Sequence, residues 1–447
     1  MPESSLPEPS TKRGWYVVAV LLLVYIFSFI DRQILGLLVA PIRRDLQISE
    51  TQMGLLMGFT FAIFYTFFGI PLGRLADTRP RRTIIAVGLA SWSLFTTGCG
   101  FARNFTQIAL MRMGVGIGEA TLSPAAYSLI VDYFPPRLLA TAMAIYNMGI
   151  AIGSGMAFLV GGLVVKFASA QEKWILPLAG ETNPWQVIFF LIGLPGLACT
   201  ALLFTFPEPL RRGLTSHHAS YREGFAYLRQ HLRAFLCLNI GFGFHYVTAY
   251  AGTSWTASYF IRVHGWTAGE FGVWFGLAQM IFGSLGMLAG GRLSDHLAAR
   301  GRRDAIVIVC RASVLITIPL AVAAFLSPNG VLAMSLIAAQ CFFLLLVPGN
   351  APTAIQQMMP PNLRGQGAAI YLFIVNLLGL GLGPLATGWL TQHVFANDKL
   401  VHYSLTTVAI TAGLIAAAAL TAGIQPFLHA RRQLDTPTPE LARQTSA

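Results

Sequence analysis

Apolar residues run along this chain in blocks of about twenty, broken by short charged or Pro/Gly-containing stretches. Twelve blocks stand out: Trp15 to Val39, Gly54 to Gly73, Ile84 to Phe101, Gln107 to Val131, Ala140 to Val165, Trp185 to Phe206, Ala234 to Phe260, Phe271 to Gly291, Ala305 to Leu326, Val331 to Pro348, Gly367 to Gln392 and Val401 to Leu428. Each is long enough to cross hydrocarbon as a helix. Three segments break the rhythm: the polar stretch 207–233, with Arg211, Arg212, Arg222 and Arg229, reads as a linker, and 1–14 and 429–447 read as polar tails.

Composition sharpens this picture. Hydrophobic residues make up 55% of the 447 and charged ones 11%, with a mean hydropathy of +0.62, far from a soluble domain. The net charge of +12 does not point to nucleic acid, because the basic residues are spread over many short loops. Placing both termini inside puts 20 of the 30 Lys and Arg on one side, seven on the other and three (Arg32, Arg112, Arg311) within spans. That excess predicts cytoplasmic termini, in a plasma or inner membrane. Five cysteines lie in apolar segments with no paired spacing, so neither a disulfide framework nor a metal site is expected.

The chain repeats itself. Gly73-Arg74-Leu75-Ala76-Asp77 with Arg81-Arg82 returns as Gly291-Arg292-Leu293-Ser294-Asp295 with a basic cluster, 218 residues on. Pro135-Pro136 with Ala144-Ile145-Tyr146 returns as Pro360-Pro361 with Ala369-Ile370-Tyr371, 225 residues on. Two matches in corresponding loops indicate duplication of a six-helix unit, 15–206 and 234–428. The predicted fold is an all-α membrane protein of twelve transmembrane helices in two pseudo-symmetric bundles.

The Gly73 to Arg82 loop resembles the signature loop of the major facilitator superfamily, with Thr78-Arg79-Pro80 departing from the usual basic-aromatic-glycine stretch. A finer resemblance, to the spinster branch, rests on Phe29-Ile30-Asp31-Arg32-Gln33 and on Arg112-Met113-Gly114-Val115-Gly116-Ile117-Gly118-Glu119-Ala120. That resemblance implies proton-linked transport of amphiphiles such as lysophospholipids and sphingoid lipids by alternating access.

The charges inside the spans carry the chemistry. Asp31 and Glu119 are the only carboxylates well inside any span. At the helical rise, Asp31 lies about 12 Å, Arg112 about 8 Å and Glu119 about 18 Å from the outer ends of their helices, one depth band shared with Arg32. Burying ions in hydrocarbon costs several kcal/mol, so these groups are expected to pair and to face a cavity. Asp31 is expected to pair with Arg112 or Arg32, leaving Glu119 the principal proton carrier, with Asp31 beside it in coupling. A purely structural ion network is the bland reading of the same four residues. His245, mid-helix seven, is a candidate for substrate or proton contact, or else a packed polar residue. Gly73, Asp77, Arg81, Arg82 and Asp295 are expected to act as a conformational latch between the halves at the cytoplasmic face.

No HExxH or GxSxG motif occurs and the histidines are scattered, which argues against an intramembrane enzyme. The leading expectation is a monomeric secondary transporter of a small amphiphile, coupled to protons and needing no cofactor. Carriers of sugar acids or other organic anions and drug exporters are the rivals; a transporter-like receptor leaves the buried carboxylates unexplained.

Overall fold

The computed structural model describes residues 11–177, 180–209, 221–360 and 363–435. Residues 1–10 and 436–447 of the expected tails and 210–220 of the linker lie outside them. Twelve helical spans run through the described chain. Helix one is Thr11–Leu37, helix two Glu50–Ala76, helix three Arg81–Cys99, and helix four is split into Phe105–Glu119 and Leu122–Tyr133. Helices five to nine are Thr141–Ala168, Pro184–Phe204, Leu232–Val263, Ala268–Ala299 and Ala305–Phe325. Helix ten is split into Gly330–Leu344 and Val347–Gln357; helix eleven is Gln366–Val394 and helix twelve Val401–Asp435. A small hairpin, Trp174–Leu176 with Gly180–Thr182, precedes helix six, and a ten-residue helix, Tyr221–Gln230, precedes helix seven. Among the described residues, ten helices are long and apolar enough to span a membrane. The other two carry charge within the helix: Arg81 and Arg82 in helix three, Arg112, Glu119 and Asp132 in helix four.

The duplication reappears in the backbone devices that start and interrupt helices. Helix two opens with a capping box, Ser49 to Gln52, and helix eight with another, Thr267 to Glu270, at the 218-residue offset. In each, two orphan N–H groups are satisfied reciprocally. Asn104 caps helix four by accepting from Gln107 N at 2.9 Å, and Asn329 caps helix ten by accepting from Val331 N at 2.9 Å, at the 225-residue offset. The breaks in helices four and ten fall at that same offset, Glu119 matching Leu344 and Leu122 matching Val347. Proline causes both: Pro124 and Pro348 have no N–H for the carbonyls four residues earlier, Ala120 and Leu344.

Contacts gather the chain into two compact units. The first joins Met1–Leu214 with Ala251–Ile281 and Pro384–Leu405; the second comprises Thr215–Tyr250, Phe282–Gly383 and Thr406–Ala447. In the first, glycine lets backbones meet. A Cβ on Gly155 or on Gly276 would stand 2.6 Å from the other's carbonyl oxygen, so helices five and eight touch at that point. Helices two and eleven meet likewise, Gly54 lying against the Pro384 carbonyl and Gly388 against that of Glu50. The second unit packs Leu238, Phe242, Ile355, Tyr371 and Leu420 into its core.

Candidate functional site

The first unit brings together the four charges that the sequence places at one depth. Asp31, Arg112 and Glu119 are 3%, 1% and 1% exposed, so protein alone must satisfy them. Arg32 Nε donates to Glu119 Oε2 at 2.6 Å, and Ser28 Oγ donates to the same oxygen at 2.7 Å. Arg112 Nη1 donates to the backbone carbonyl of Asp31 at 3.2 Å. The expected pairing is therefore exchanged: Glu119, not Asp31, holds the arginine partner. Successive helical residues diverge by about 100°, so Arg32 swings toward Glu119 while Asp31 points elsewhere. Asp31 Oδ1, Glu119 Oε1 and Arg112 Nε are buried without a hydrogen-bond partner among the described residues. Such orphans are costly in a finished core and call for an explanation.

Aromatic rings from helix two complete the cluster. The Arg32 guanidinium lies 4.9 Å from the Phe61 ring centre and 4.7 Å from that of Tyr65, and Arg112 lies 5.4 Å from Phe61. Phe61 and Tyr65 stack at 5.4 Å. A second aromatic group adjoins helix one: Tyr25 stacks on Tyr146 at 4.9 Å, Tyr127 meets Tyr146 edge-on, and Tyr127 donates to Asn147 Oδ1 at 2.8 Å. Ser28 and Tyr65 are missed by a search for charge. Their signal is spacing, since Ser28 precedes Arg32 by four residues and Tyr65 follows Phe61 by four, each pair one helical turn apart.

His245 belongs to the second unit, where Nε2 makes a 3.1 Å hydrogen bond with the Leu344 carbonyl. Leu344 O is the carbonyl that Pro348 orphans, and Ser313 Oγ donates to its neighbour, Phe343 O, at 2.5 Å. In that position His245 bridges the break in helix ten, as Ser28 meets Glu119 at the break in helix four.

Of the expected latch, Gly73 lies beside Pro124, where an added Cβ would make ordinary van der Waals contact at 3.8 Å, and Asp295 is exposed. The side chain of Asp77 lies outside the described residues. Arg81 pairs with Asp132 and, at 2.8 Å, with Glu208; Arg82 Nη1 donates to Phe206 O at 2.6 Å. Glu208 also accepts from the backbone N–H of Arg81 and of Arg82 at 3.0 Å each, capping helix three. These partners all lie in the first half of the chain.

A third cluster escapes the sequence reading because its members are far apart in the chain. Glu50 Oε1 accepts from Arg43 at 2.5 Å and from Arg262 at 2.7 Å, while Arg43 also reaches Asp398 at 2.5 Å. It joins the start of helix two, the end of helix seven and the turn before helix twelve, beside the glycine contact of Gly388 with Glu50.

Comparison with known proteins places this geometry. The Major Facilitator Superfamily model matches residues 21–384. The chain belongs to that superfamily. It is 29% identical over 423 residues to an MFS-type efflux pump of Mycolicibacterium smegmatis, covering 94% of each protein. To the hexuronate transporter of Bacillus subtilis it is 27% identical, over 84% of this chain and 87% of the relative. A crystal structure of a bacterial homolog of the human lysosomal transporter spinster, inward-facing and unoccupied, superposes with a TM-score of 0.78 at 28% identity, covering 95% of this chain and 99% of that one. The protein is thus a multi-pass membrane transporter of the facilitator type, similar to the spinster branch, and not an enzyme.

Proposed function

We propose that this transporter moves a small amphiphile by proton-linked alternating access, with Asp31, Arg32, Arg112 and Glu119 forming the coupling site and both termini in the cytoplasm. The observation that carries the reading is the cluster itself: two buried carboxylates lie in one site, Glu119 paired with Arg32, and one oxygen of each is buried without a hydrogen-bond partner among the described residues. Because Arg32 is already committed to Glu119 at 2.6 Å, Asp31 is the carboxylate whose charge changes with fewer contacts to break. An anionic or zwitterionic head group drawing on Arg32 therefore competes with Glu119, which links substrate to proton. The rings of Phe61, Tyr65, Tyr25 and Tyr146 offer apolar surface beside those charges, suited to the rest of an amphiphile.

One observation favours a second reading. The hexuronate transporter relative takes a small organic anion by name, and two arginines close to one phenylalanine suit a carboxylate as well. Competition separates the readings: a lysophospholipid that displaces a bound fluorescent lipid while glucuronate does not supports the amphiphile, and the reverse order overturns it.

A further inference from the structure

Helices seven and twelve enclose, at one end, a pocket unrelated to the buried charge cluster. Its volume is about 690 Å3, within the range of small-molecule sites. His231, Arg233, Gln425, His429 and Arg432 line it, and no carboxylate does so among the described residues. His231 is buried and its ring lies tilted against Tyr227, ring centres 4.6 Å apart, while Arg233 and Arg432 are exposed. Burial, and after it the nearby His429, hold the His231 imidazole below its ordinary range, so the two guanidiniums supply the pocket's positive charge.

Beside the pocket the exposed surface is apolar. Helix seven exposes Leu232, Leu236 and Ile240, four residues apart, as a stripe leading away from the pocket along the span, and Phe225 on the preceding helix is 72% exposed. A basic pocket at the end of membrane helices, continued by an apolar stripe, matches the two parts of a phospholipid: a phosphate for the arginines and acyl chains for the leucines. We propose that this pocket is a regulatory or structural site for the phosphate diester of an anionic membrane phospholipid, seated between helices seven and twelve.

Thermal unfolding of the purified full-length protein in detergent tests this, with phosphatidylglycerol, phosphatidylcholine or glycerol 1-phosphate as the added probe. Phosphatidylglycerol is expected to stabilise with an apparent affinity about twenty-fivefold tighter than phosphatidylcholine, since each of the two juxtamembrane arginines contributes about fivefold. The double variant Arg233→Gln/Arg432→Gln removes that preference, and Thr421→Trp, which fills the pocket without touching its charge, does the same. Arg103→Gln, an exposed arginine elsewhere, keeps it. A preference that survives in both pocket variants overturns the proposal. Equal stabilisation by glycerol 1-phosphate overturns the lipid as its source.

Discussion

At the residue scale, the neighbours Asp31 and Arg32 divide their tasks because a helix turns them apart. Removing Glu119 takes from Arg32 its 2.6 Å ion pair in a largely buried site, whereas removing the charge of Asp31 leaves that pair intact. Glu119→Gln is therefore expected to lower stability in detergent by about 3 kcal/mol, the scale of a broken buried pair. Asp31→Asn should change it by less than about 1 kcal/mol while abolishing the response of transport to a pH gradient. Chemical denaturation and uptake assays on the two variants check the contrast; equal loss of stability in both would make Asp31 a structural member of the network. The residues of this site were legible in the sequence, since charge inside an apolar run is conspicuous. Their pairing was not, because partner choice depends on the rotation of helix one against helix four, which no local pattern encodes.

At the element scale, the same duplicated backbone carries different chemistry in its two copies. Both repeats cap with asparagine and both break at proline, but the first places Glu119 at its break and the second Leu344, whose carbonyl turns to His245. The prolines were visible in the sequence and explain the breaks. The uninterrupted apolar pattern around them hid the consequence, because hydropathy does not register a missing hydrogen bond. His245→Ala should leave that carbonyl without a donor at a cost of about 1 to 3 kcal/mol. Hydrogen exchange localised to 341–350 should rise in the variant, with substrate binding affinity unchanged. A loss of binding without faster exchange would instead make His245 a substrate contact. Asn104→Ala and Asn329→Ala, equivalent caps, should each cost about 1 kcal/mol in thermal unfolding.

At the scale of the whole molecule, Arg43, Glu50, Arg262 and Asp398 tie together segments separated by more than two hundred residues, backed by glycine contacts that admit no side chain. In the alternating access proposed above, this cluster would act as a seal that opens once per cycle, its ion pairs biasing the populations of the two states. Glu50→Gln keeps the shape and removes the charge that two arginines share. Spin labels at Arg44 and Lys399, both exposed, should then report a larger share of the longer distance, by roughly tenfold if about 1.4 kcal/mol is lost. An unchanged distribution would make the cluster a surface feature. The fold itself was legible from twelve apolar blocks and two repeat offsets. This seal was not, since Glu50 and Asp398 look like ordinary loop carboxylates until the chain is folded.

The central claim is that protons and an amphiphile share the Asp31–Arg32–Glu119 cluster, and reconstitution tests it most directly. In proteoliposomes loaded with a pH-sensitive dye, a lysophospholipid gradient should drive proton movement in the wild type, and Asp31→Asn should still exchange labelled lysophospholipid while moving no protons. Lysophospholipid exchange without proton movement in the wild type, or proton movement driven by glucuronate and not by lysophospholipid, would contradict it.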